Sequence, residues 1–385
     1  MRSFRCLAAA FLVVPSASFA QDGAIVYRLG KDTVAIERFA KSATKLTGEL
    51  VSRTGALVAR VQYEDVMDKG RVSSAVFRRR QADGSPFASQ PVEYRIAFRA
   101  DSAVREVQWV DSVQRRAFAA PNAFPAVTTF MYAPMELLAA MGKGKRDSIP
   151  AIGLGGNAVG YVGLEEADGA LRIRASGGAY PMLLTFDKDG RLEKTDGSFT
   201  TNKAIGTRVS AKVDIAAIAK TMKPTGILSP RQTAYAGVSQ APIAVNWQGP
   251  ILINYGSPAV RGRTVWGGTL IPFDSIWRTG ANEATHLATS KTIQLGDMTL
   301  APGMYTLWTQ HTRTGTFLIV NKQVGQWGTV YSAANDIGRV PMELTNTPEF
   351  VEDLTITIRP LGPTKGAIDI AWGDKMATAP FTIRP

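Results

Sequence analysis

Short runs in which apolar residues occupy every second position recur along most of the chain, each followed by a turn that contains glycine or proline. Residues 93–99 form the clearest run, in which Tyr94, Ile96 and Phe98 alternate with mainly polar neighbours. Successive side chains of a β-strand point to opposite faces of the sheet, so such a run buries one face and exposes the other. The pattern predicts a mainly β protein made of antiparallel strands.

Two segments of the N-terminal half lack this alternation. The apolar residues of the first predict a helix around 122–141, ended by Gly142 and Gly144. A second, alanine-rich helix is predicted at Ile215–Met222. We therefore expect residues 21–225 to form a curved antiparallel sheet, similar to a half-barrel, with one helical segment over it. That segment can line a groove for an apolar ligand, but a face that simply packs on the sheet is favoured.

The C-terminal part has shorter and more closely spaced strand signals, and no convincing helix. The predicted strands are 251–255, 286–290, 292–295, 304–310, 316–320, 354–358, 368–372 and 381–383. Many short strands separated by turns are typical of a β-sandwich or jelly-roll-like domain, which we place at residues 242–385. Residues 226–241 are then predicted to be a linker.

The first twenty residues have the layout of a cleavable secretory signal. Arg2 and Arg5 precede an apolar run at 7–14, and the small-residue end of the segment predicts cleavage after Ala20. No later apolar stretch approaches the roughly 20 residues that a transmembrane helix needs. We expect a periplasmic or secreted protein without a transmembrane segment.

The position and number of cysteines argue against a lipid anchor and against a disulfide bond. Cys6, the one cysteine of the chain, lies before the apolar run rather than at the expected cleavage point. A lipid-modified cysteine would sit directly after that run, and a disulfide needs a second cysteine. The protein is therefore expected to be neither a lipoprotein nor disulfide-bonded.

The formal net charge of +12 raises the question of a nucleic-acid partner. Residues 21–240 carry 31 Lys and Arg against 22 Asp and Glu, whereas residues 241–385 carry 11 against 10. The compact basic cluster is Arg78–Arg80, which no aromatic platform or glycine-rich nucleic-acid motif accompanies. A solvated strand face is the favoured interpretation of that cluster over an anion site, and no nucleic-acid partner is predicted.

The C-terminal part contains a series of specific motifs. They are Tyr255-Gly256-Ser257-Pro258, Arg261-Gly262-Arg263, Trp266-Gly267-Gly268, the nine residues Trp277 to Thr285, Leu300 to Trp308, Asn321-Lys322 and Trp327-Gly328. Together they closely resemble the bacterial family called domain of unknown function 2911, over most of residues 245–385. The resemblance implies an exported β domain and carries no known reaction, ligand or catalytic residue. No family is recognised in the N-terminal half.

The Trp277–Thr285 motif places an indole, a guanidinium, an amide and a carboxylate in one glycine-containing loop. Trp277 can stack on a sugar, Arg278 can bind a carboxylate, and Asn282 with Glu283 can bind hydroxyls. The favoured alternative is structural: Arg278 pairs with Glu283, Asn282 caps the turn, and Trp277 closes one end of the sandwich. The candidate binding residues are Trp277, Arg278, Asn282, Glu283, Tyr255 and Arg261.

Candidates for catalysis are few. The chain has two histidines, of which His286 follows the loop and His311 lies in a turn where solvent exposure is expected. A glycosidase needs a pair of carboxyl groups, and Asp274 with Glu283 is the pair near the loop.

The sequence therefore favours an exported, non-enzymatic protein that binds a carbohydrate or another small-molecule ligand. The alternative is a glycan-acting hydrolase that uses Glu283 with Asp274 or His286. Neither a metal nor a cofactor is predicted.

Overall fold

A computed structural model describes residues 22–55, 57–126, 129–142, 149–154, 159–167, 170–175, 182–198, 200, 203–236 and 251–384. The predicted signal at 1–20 lies outside the described residues, as does Cys6. Strands account for most of the described chain and helices for little of it, which confirms the prediction of a mainly β protein. Within the described residues, no helix is both long and apolar enough to span a membrane.

The N-terminal strands form one sheet, here called the first sheet. In the described residues it contains fifteen strands: β1 (Gly23–Leu29), β2 (Asp32–Lys41), β3 (Lys45–Thr54), β4 (Leu57–Asp68), β5 (Arg71–Gln81), β6 (Glu93–Phe98), β7 (Ser102–Gln108), β8 (Val113–Ala119), β9 (Phe124–Pro125), β10 (Ile149–Ile152), β11 (Val159–Ala167), β12 (Ala170–Ala175), β13 (Met182–Phe186), β14 (Leu192–Asp196) and β15 (Ile205–Val209). Apart from β8 and β9, strands that are neighbours in sequence pair with each other, and β1 also pairs with β15. The sheet ends at β8 on one side and β9 on the other, and it is not closed into a barrel. Because β9 nevertheless contacts β5, the sheet curves over its buried face.

The C-terminal strands form a second sheet, of ten strands in the described residues: β16 (Arg231–Ala236), β17 (Ile251–Gly256), β18 (Ile276–Trp277), β19 (Thr285–Thr289), β20 (Ile293–Leu295), β21 (Met298–Leu300), β22 (Gly303–His311), β23 (Thr316–Asn321), β24 (Asp336–Pro360) and β25 (Lys365–Ile383). A short 3-10 helix spans Ala333–Asn335. The sheet folds over its own core, because Ser257 Oγ donates to the Leu354 carbonyl oxygen at 2.7 Å and Leu354 N–H donates to Pro258 at 2.9 Å. The layered, sandwich-like architecture that the strand spacing predicts is present.

The structure differs from the sequence predictions at three places. The predicted helix at 122–141 is confined to α1 (Met135–Gly142), because Phe124–Pro125 is a strand and Pro134 is followed directly by the first helical turn. The predicted linker at 226–241 contains β16, which pairs with β17. Predicted strands 368–372 and 381–383 are parts of the single long strand β25. The second predicted helix is observed as α2 (Ile215–Thr221).

The buried face of the first sheet is closed by the chain that leads into α1. Glu37 on β2 is fully buried and accepts hydrogen bonds from Tyr27 Oη at 2.5 Å and Tyr63 Oη at 2.7 Å. The same carboxylate accepts from the backbone N–H groups of Tyr132 at 3.1 Å and Ala133 at 3.2 Å. Burial raises the pKa of Glu37 to about 7, although these hydrogen bonds oppose the rise. The carboxylate therefore fastens residues 132–133 to the sheet.

Gly48 on β3 provides a test of this packing. A Cβ atom at Gly48 would lie 2.0 Å from the ring of Tyr63, which its hydrogen bond to Glu37 holds in place. We expect Gly48→Ala to lower the free energy of unfolding by about 1–3 kcal/mol through overpacking. Gly362→Ala, at a position with no atom within 4 Å of the added carbon, is the matched control. Urea denaturation measures both variants, and equal stabilities would contradict the packing argument.

The two sheets contact each other through the turn between β1 and β2. Lys31 N–H donates to the Arg261 carbonyl oxygen at 3.0 Å, and the Arg261 guanidinium forms an ion pair with Asp32. Gly30 has a φ of +61°, and a Cβ atom there would lie 2.0 Å from the Arg261 carbonyl oxygen. Only glycine combines that backbone conformation with so close an approach. This contact closes one side of the space between the sheets.

Candidate functional site

A cavity of about 650 Å³ lies between the first sheet and one end of the second sheet. Its first wall consists of apolar side chains from neighbouring strands of the first sheet: Leu29, Val34, Leu50, Val61 and Phe77. These residues share one face because β3 pairs Leu50 with Val61 and β4 pairs Tyr63 with Phe77. Phe130, just before the residues held by Glu37, completes this wall. The alternation of the strands thus places a continuous apolar surface on one side of the cavity.

The opposite wall is formed by the loop that follows β18. Trp277, Arg278, Ala281 and Asn282 line the cavity together with the backbone of Gly280. The indole of Trp277 stacks on Trp372, with ring centroids 5.6 Å apart and planes 16° apart. Trp277 is only 6 % exposed, so one of its ring faces is covered by Trp372.

Internal hydrogen bonds hold this loop in a single conformation. Arg278 Nε donates to the Gly280 carbonyl oxygen at 3.2 Å, and Thr285 Oγ1 donates to the Thr279 carbonyl oxygen at 2.9 Å. Thr279 and Asn282 have φ values of +52° and +63°. Such conformations persist where surrounding contacts impose them. The loop is therefore a rigid part of the cavity wall.

The cavity lining is basic. Five cationic side chains line it, namely Arg79, Lys203, Arg261, Arg263 and Arg278, and no Asp or Glu appears among the described lining residues. Burial, and then the neighbouring charges of Arg278 and Arg263, lower the pKa of Lys203 to about 8. Burial and the charge of Arg261 lower the pKa of Arg263 to about 10. The site thus combines an apolar wall with a set of cations, of which Lys203 and Arg263 are desolvated.

The structure places the predicted binding residues in two groups. Arg261, Trp277, Arg278 and Asn282 line the cavity. Tyr255 does not, because it is buried and its hydroxyl group accepts a hydrogen bond from Ile356 N–H at 3.0 Å. This hydroxyl joins β17 to β24, so the contacts of Tyr255 are structural.

Glu283 also lies outside the cavity lining. Its side chain is 56 % exposed, and its carboxylate lies 3.8 Å from Arg231 rather than pairing with Arg278 as the structural interpretation of the loop required. Asn282 accepts a hydrogen bond at its carbonyl oxygen from Gly328 N–H at 2.9 Å. The turn is therefore closed by backbone atoms and by Arg278, and Glu283 is left at the surface.

The catalytic candidates do not converge. Asp274 lies beside β22, where its N–H donates to the His311 carbonyl oxygen at 2.7 Å, while Glu283 pairs with Trp327 in a β-bridge. Among the described residues, Asp274 and Glu283 share no hydrogen bond and no common partner. Nε2 of His286 accepts a hydrogen bond from Gly325 N–H at 3.0 Å. Burial, and then the charge of Arg231, lower the pKa of His286, which favours a neutral ring with that nitrogen already occupied.

His311 is buried, contrary to the expectation of solvent exposure. It is 8 % exposed, its ring stacks on Phe273 at 4.9 Å, and Nδ1 shares a hydrogen bond with Thr316 Oγ1 at 2.8 Å. His311 also lies outside the turn in which the sequence placed it, because it is the last residue of β22. Within the described residues, no three His, Cys, Asp or Glu side chains lie close enough together to hold a metal ion.

Three cavity cations were not among the sequence candidates: Arg79, Lys203 and Arg263. Arg79 belongs to the cluster that we interpreted as a solvated strand face, yet it lies two residues after the buried Phe77 on β5 and so on the same face. The alternation of side chains along the strand could therefore have placed Arg79 on the buried face of the sheet. Lys203 lies before β15 with no motif around it, and only the approach of the two sheets brings it to Arg263 and Arg278.

Residues 229–381 match the model of a family described as "Protein of unknown function (DUF2911)". This match confirms the family resemblance of the C-terminal part and extends it to include β16. No curated protein and no solved structure shows a significant match to the chain. The cavity walls come partly from the matched residues, including Arg261, Trp277 and Arg278, and partly from the first sheet.

Proposed function

We propose that this chain is an exported, non-enzymatic binding protein that holds a small apolar ligand in the cavity between its two sheets. The observation that supports the proposal most is the size and lining of that cavity. A volume of about 650 Å³ falls within the range of roughly 300–1,000 Å³ found for ligand sites, which are mostly apolar with a few polar groups. The N-terminal segment with the layout of a secretory signal supports export.

An apolar ligand is favoured over a glycan as the occupant. Sugar binding relies on an exposed aromatic face and on several carboxylate or amide groups that bind hydroxyls. Here Trp277 is stacked on Trp372, Glu283 lies outside the cavity, and the described lining contains no acidic residue. The aliphatic wall of Leu29, Val34 and Leu50 suits a hydrocarbon surface better.

A hydrolase that uses Glu283 receives no support from the geometry. Glu283 and Asp274 have separate partners, and none of Glu283, Asp274 and His286 lines the cavity. A glycosidase needs two carboxyl groups that flank one bond at a defined separation. We therefore propose binding without catalysis.

Narrowing the cavity is expected to weaken ligand binding. Ser52 is a small residue of β3 that lines the cavity, so Ser52→Trp places an indole in the space of the ligand. With the neutral fluorescent dye N-phenyl-1-naphthylamine as probe and the full chain as receptor, we expect the Kd to rise at least about 10-fold, which corresponds to about 1.4 kcal/mol.

Ser112→Trp is the matched control for this experiment, because Ser112 is exposed in the turn between β7 and β8, outside the cavity lining. It is expected to bind the dye like the unmodified chain. Failure of the unmodified chain to bind the dye, or equal affinities for both tryptophan variants, would contradict the proposed function.

A further inference from the structure

We infer that the ligand of this cavity is an amphiphilic anion, whose apolar part lies on the first sheet and whose negative group lies at Lys203, Arg263 and Arg278. This inference rests on the proposed function and specifies its ligand class. The three side chains are called the cationic cluster below. The apolar part is recognised by shape and burial, and the negative group by charge.

The cationic cluster is built from both halves of the chain. Lys203 precedes β15, and its Nζ donates to the carbonyl oxygens of Ser198 at 3.0 Å and Thr269 at 3.2 Å. Thr269 lies in the C-terminal part of the chain. The side chain of Lys203 therefore extends from the first sheet to the opposite wall of the cavity. Arg263 donates through Nε to Val260 at 2.9 Å and through Nη2 to Ala259 at 2.8 Å. These backbone contacts hold both cations in place at the cavity without neutralising them.

The described structure supplies few counter-charges to these cations. Arg261 forms an ion pair with Asp32, but Lys203, Arg263 and Arg79 have no carboxylate within ion-pair distance in the part of the chain that is described. Like charges brought together away from water repel each other strongly, because the local dielectric constant is low. Burial, and then this repulsion, lower the pKa values of Lys203 and Arg263, although the charges of Glu352 and Asp32 partly oppose the shift at Arg263. A bound anion would offset both costs.

The chemistry of the cationic cluster fits an oxyanion. A guanidinium binds carboxylate or phosphate oxygens through paired N–H groups, and an ammonium adds a compact positive charge. The first wall, in contrast to the cationic cluster, is apolar. Its side chains Leu50, Val61 and Phe77 favour burial of a hydrocarbon chain. A fatty acid and a lipid phosphate both combine an oxyanion with a hydrocarbon chain. Ligands of equal chain length that carry either group distinguish the two.

The test uses displacement of N-phenyl-1-naphthylamine from the full chain by dodecanoate, dodecyl phosphate and dodecanol, with the two anions below their micellar concentrations and dodecanol below its solubility limit. We expect at least one of the two anions to displace the dye at a concentration at least about 10-fold lower than dodecanol. A stronger effect of dodecanoate identifies a carboxylate, and a stronger effect of dodecyl phosphate identifies a phosphate. Equal displacement by the alcohol and both anions would overturn the inference while dye binding still upholds the proposed function. Absence of dye binding would overturn both.

Variants then locate the negative group. In Lys203→Met and Arg263→Met the preference for the anion over dodecanol is expected to fall to less than about threefold, while the neutral dye still binds. Lys203→Arg retains the charge and is expected to retain the preference, which separates charge from loss of the fold. Lys188→Met removes an exposed lysine in the turn between β13 and β14, outside the cavity lining, and is expected to leave the preference intact. An undiminished preference in both Lys203→Met and Arg263→Met would overturn the assignment to Lys203, Arg263 and Arg278.

Discussion

Glu37→Leu is expected to lower the free energy of unfolding by about 3–5 kcal/mol. The substitution leaves two buried hydroxyl groups, those of Tyr27 and Tyr63, and the backbone N–H groups of Tyr132 and Ala133 without their acceptor. Each buried polar group without a partner costs about 1–3 kcal/mol, and partial relaxation reduces the sum. Chemical denaturation monitored by tryptophan fluorescence and by circular dichroism measures the change.

Two controls accompany this variant. Glu37→Gln retains one acceptor oxygen and is expected to lose less stability than Glu37→Leu. Glu193→Leu replaces an exposed glutamate on β14 and is expected to change stability by no more than about 0.5 kcal/mol. If Glu37→Leu were as stable as the unmodified chain, the carboxylate would not be what fastens residues 132–133 to the sheet.

Because Phe130 lines the cavity two residues before that contact, the same variant is also expected to weaken dye binding.

Asp65→Asn is expected to stabilise the protein above neutral pH. Asp65 on β4 is fully buried, and neither carboxyl oxygen has a hydrogen-bond partner in the described structure. Burial, and then the charge of Glu64, raise the pKa of Asp65 to about 7 from an ordinary value of 3.8. A difference of this size corresponds to about 4 kcal/mol between the two protonation states, which is an upper bound for the gain.

The direction of the pH dependence follows from this shift. The unfolded chain ionises Asp65 near pH 4, whereas the folded chain keeps the proton until about pH 7. The folded state therefore binds more protons between these values, and the contribution of Asp65 to stability falls as the pH rises through that window. Below pH 4 the unmodified chain and Asp65→Asn are expected to differ little, and above pH 7 the variant is expected to be the more stable.

Asp68→Asn is the control for this experiment, because Asp68 lies on the same strand and is exposed. Its stability relative to the unmodified chain is expected to be the same at every pH. Denaturation series at pH 4, 5.5, 7 and 8 measure the three proteins. A stability difference between Asp65→Asn and the unmodified chain that did not widen with rising pH would show that Asp65 titrates normally in the folded state.

The sequence was informative about strands because a strand is a local pattern. Alternation located β17 and β23 to within a residue. Alternation failed where tertiary contacts override it, as at Phe124–Pro125, which pairs in parallel with β10 and lies near the start of the run that we interpreted as a helix. Residues 226–241 carry little apolar alternation, so β16 is defined by its pairing with β17 rather than by its own composition.

The candidate site was predicted in part. Trp277, Arg278, Asn282 and Arg261 line the cavity and all belong to motifs of the C-terminal part. Glu283 was included because it is adjacent in sequence, but the left-handed turn at Asn282 directs the chain onward to its bridge with Trp327, outside the cavity lining. Neighbours in a loop need not face the same way, so adjacency was a poor guide there.

The sequence alone determined that this chain is mainly β, that its strands are antiparallel, and that its C-terminal part resembles a family of unknown function, because periodicity, turns and motifs are encoded within short segments. Only the tertiary structure decided where a cavity forms and which side chains line it. Arg79 on β5, Lys203 before β15 and Arg263 after β17 are far apart in sequence, and nothing in their own segments indicates that the three share a site. They line one cavity because two sheets with separate cores meet at Gly30 and Arg261, a long-range contact that no local pattern specifies.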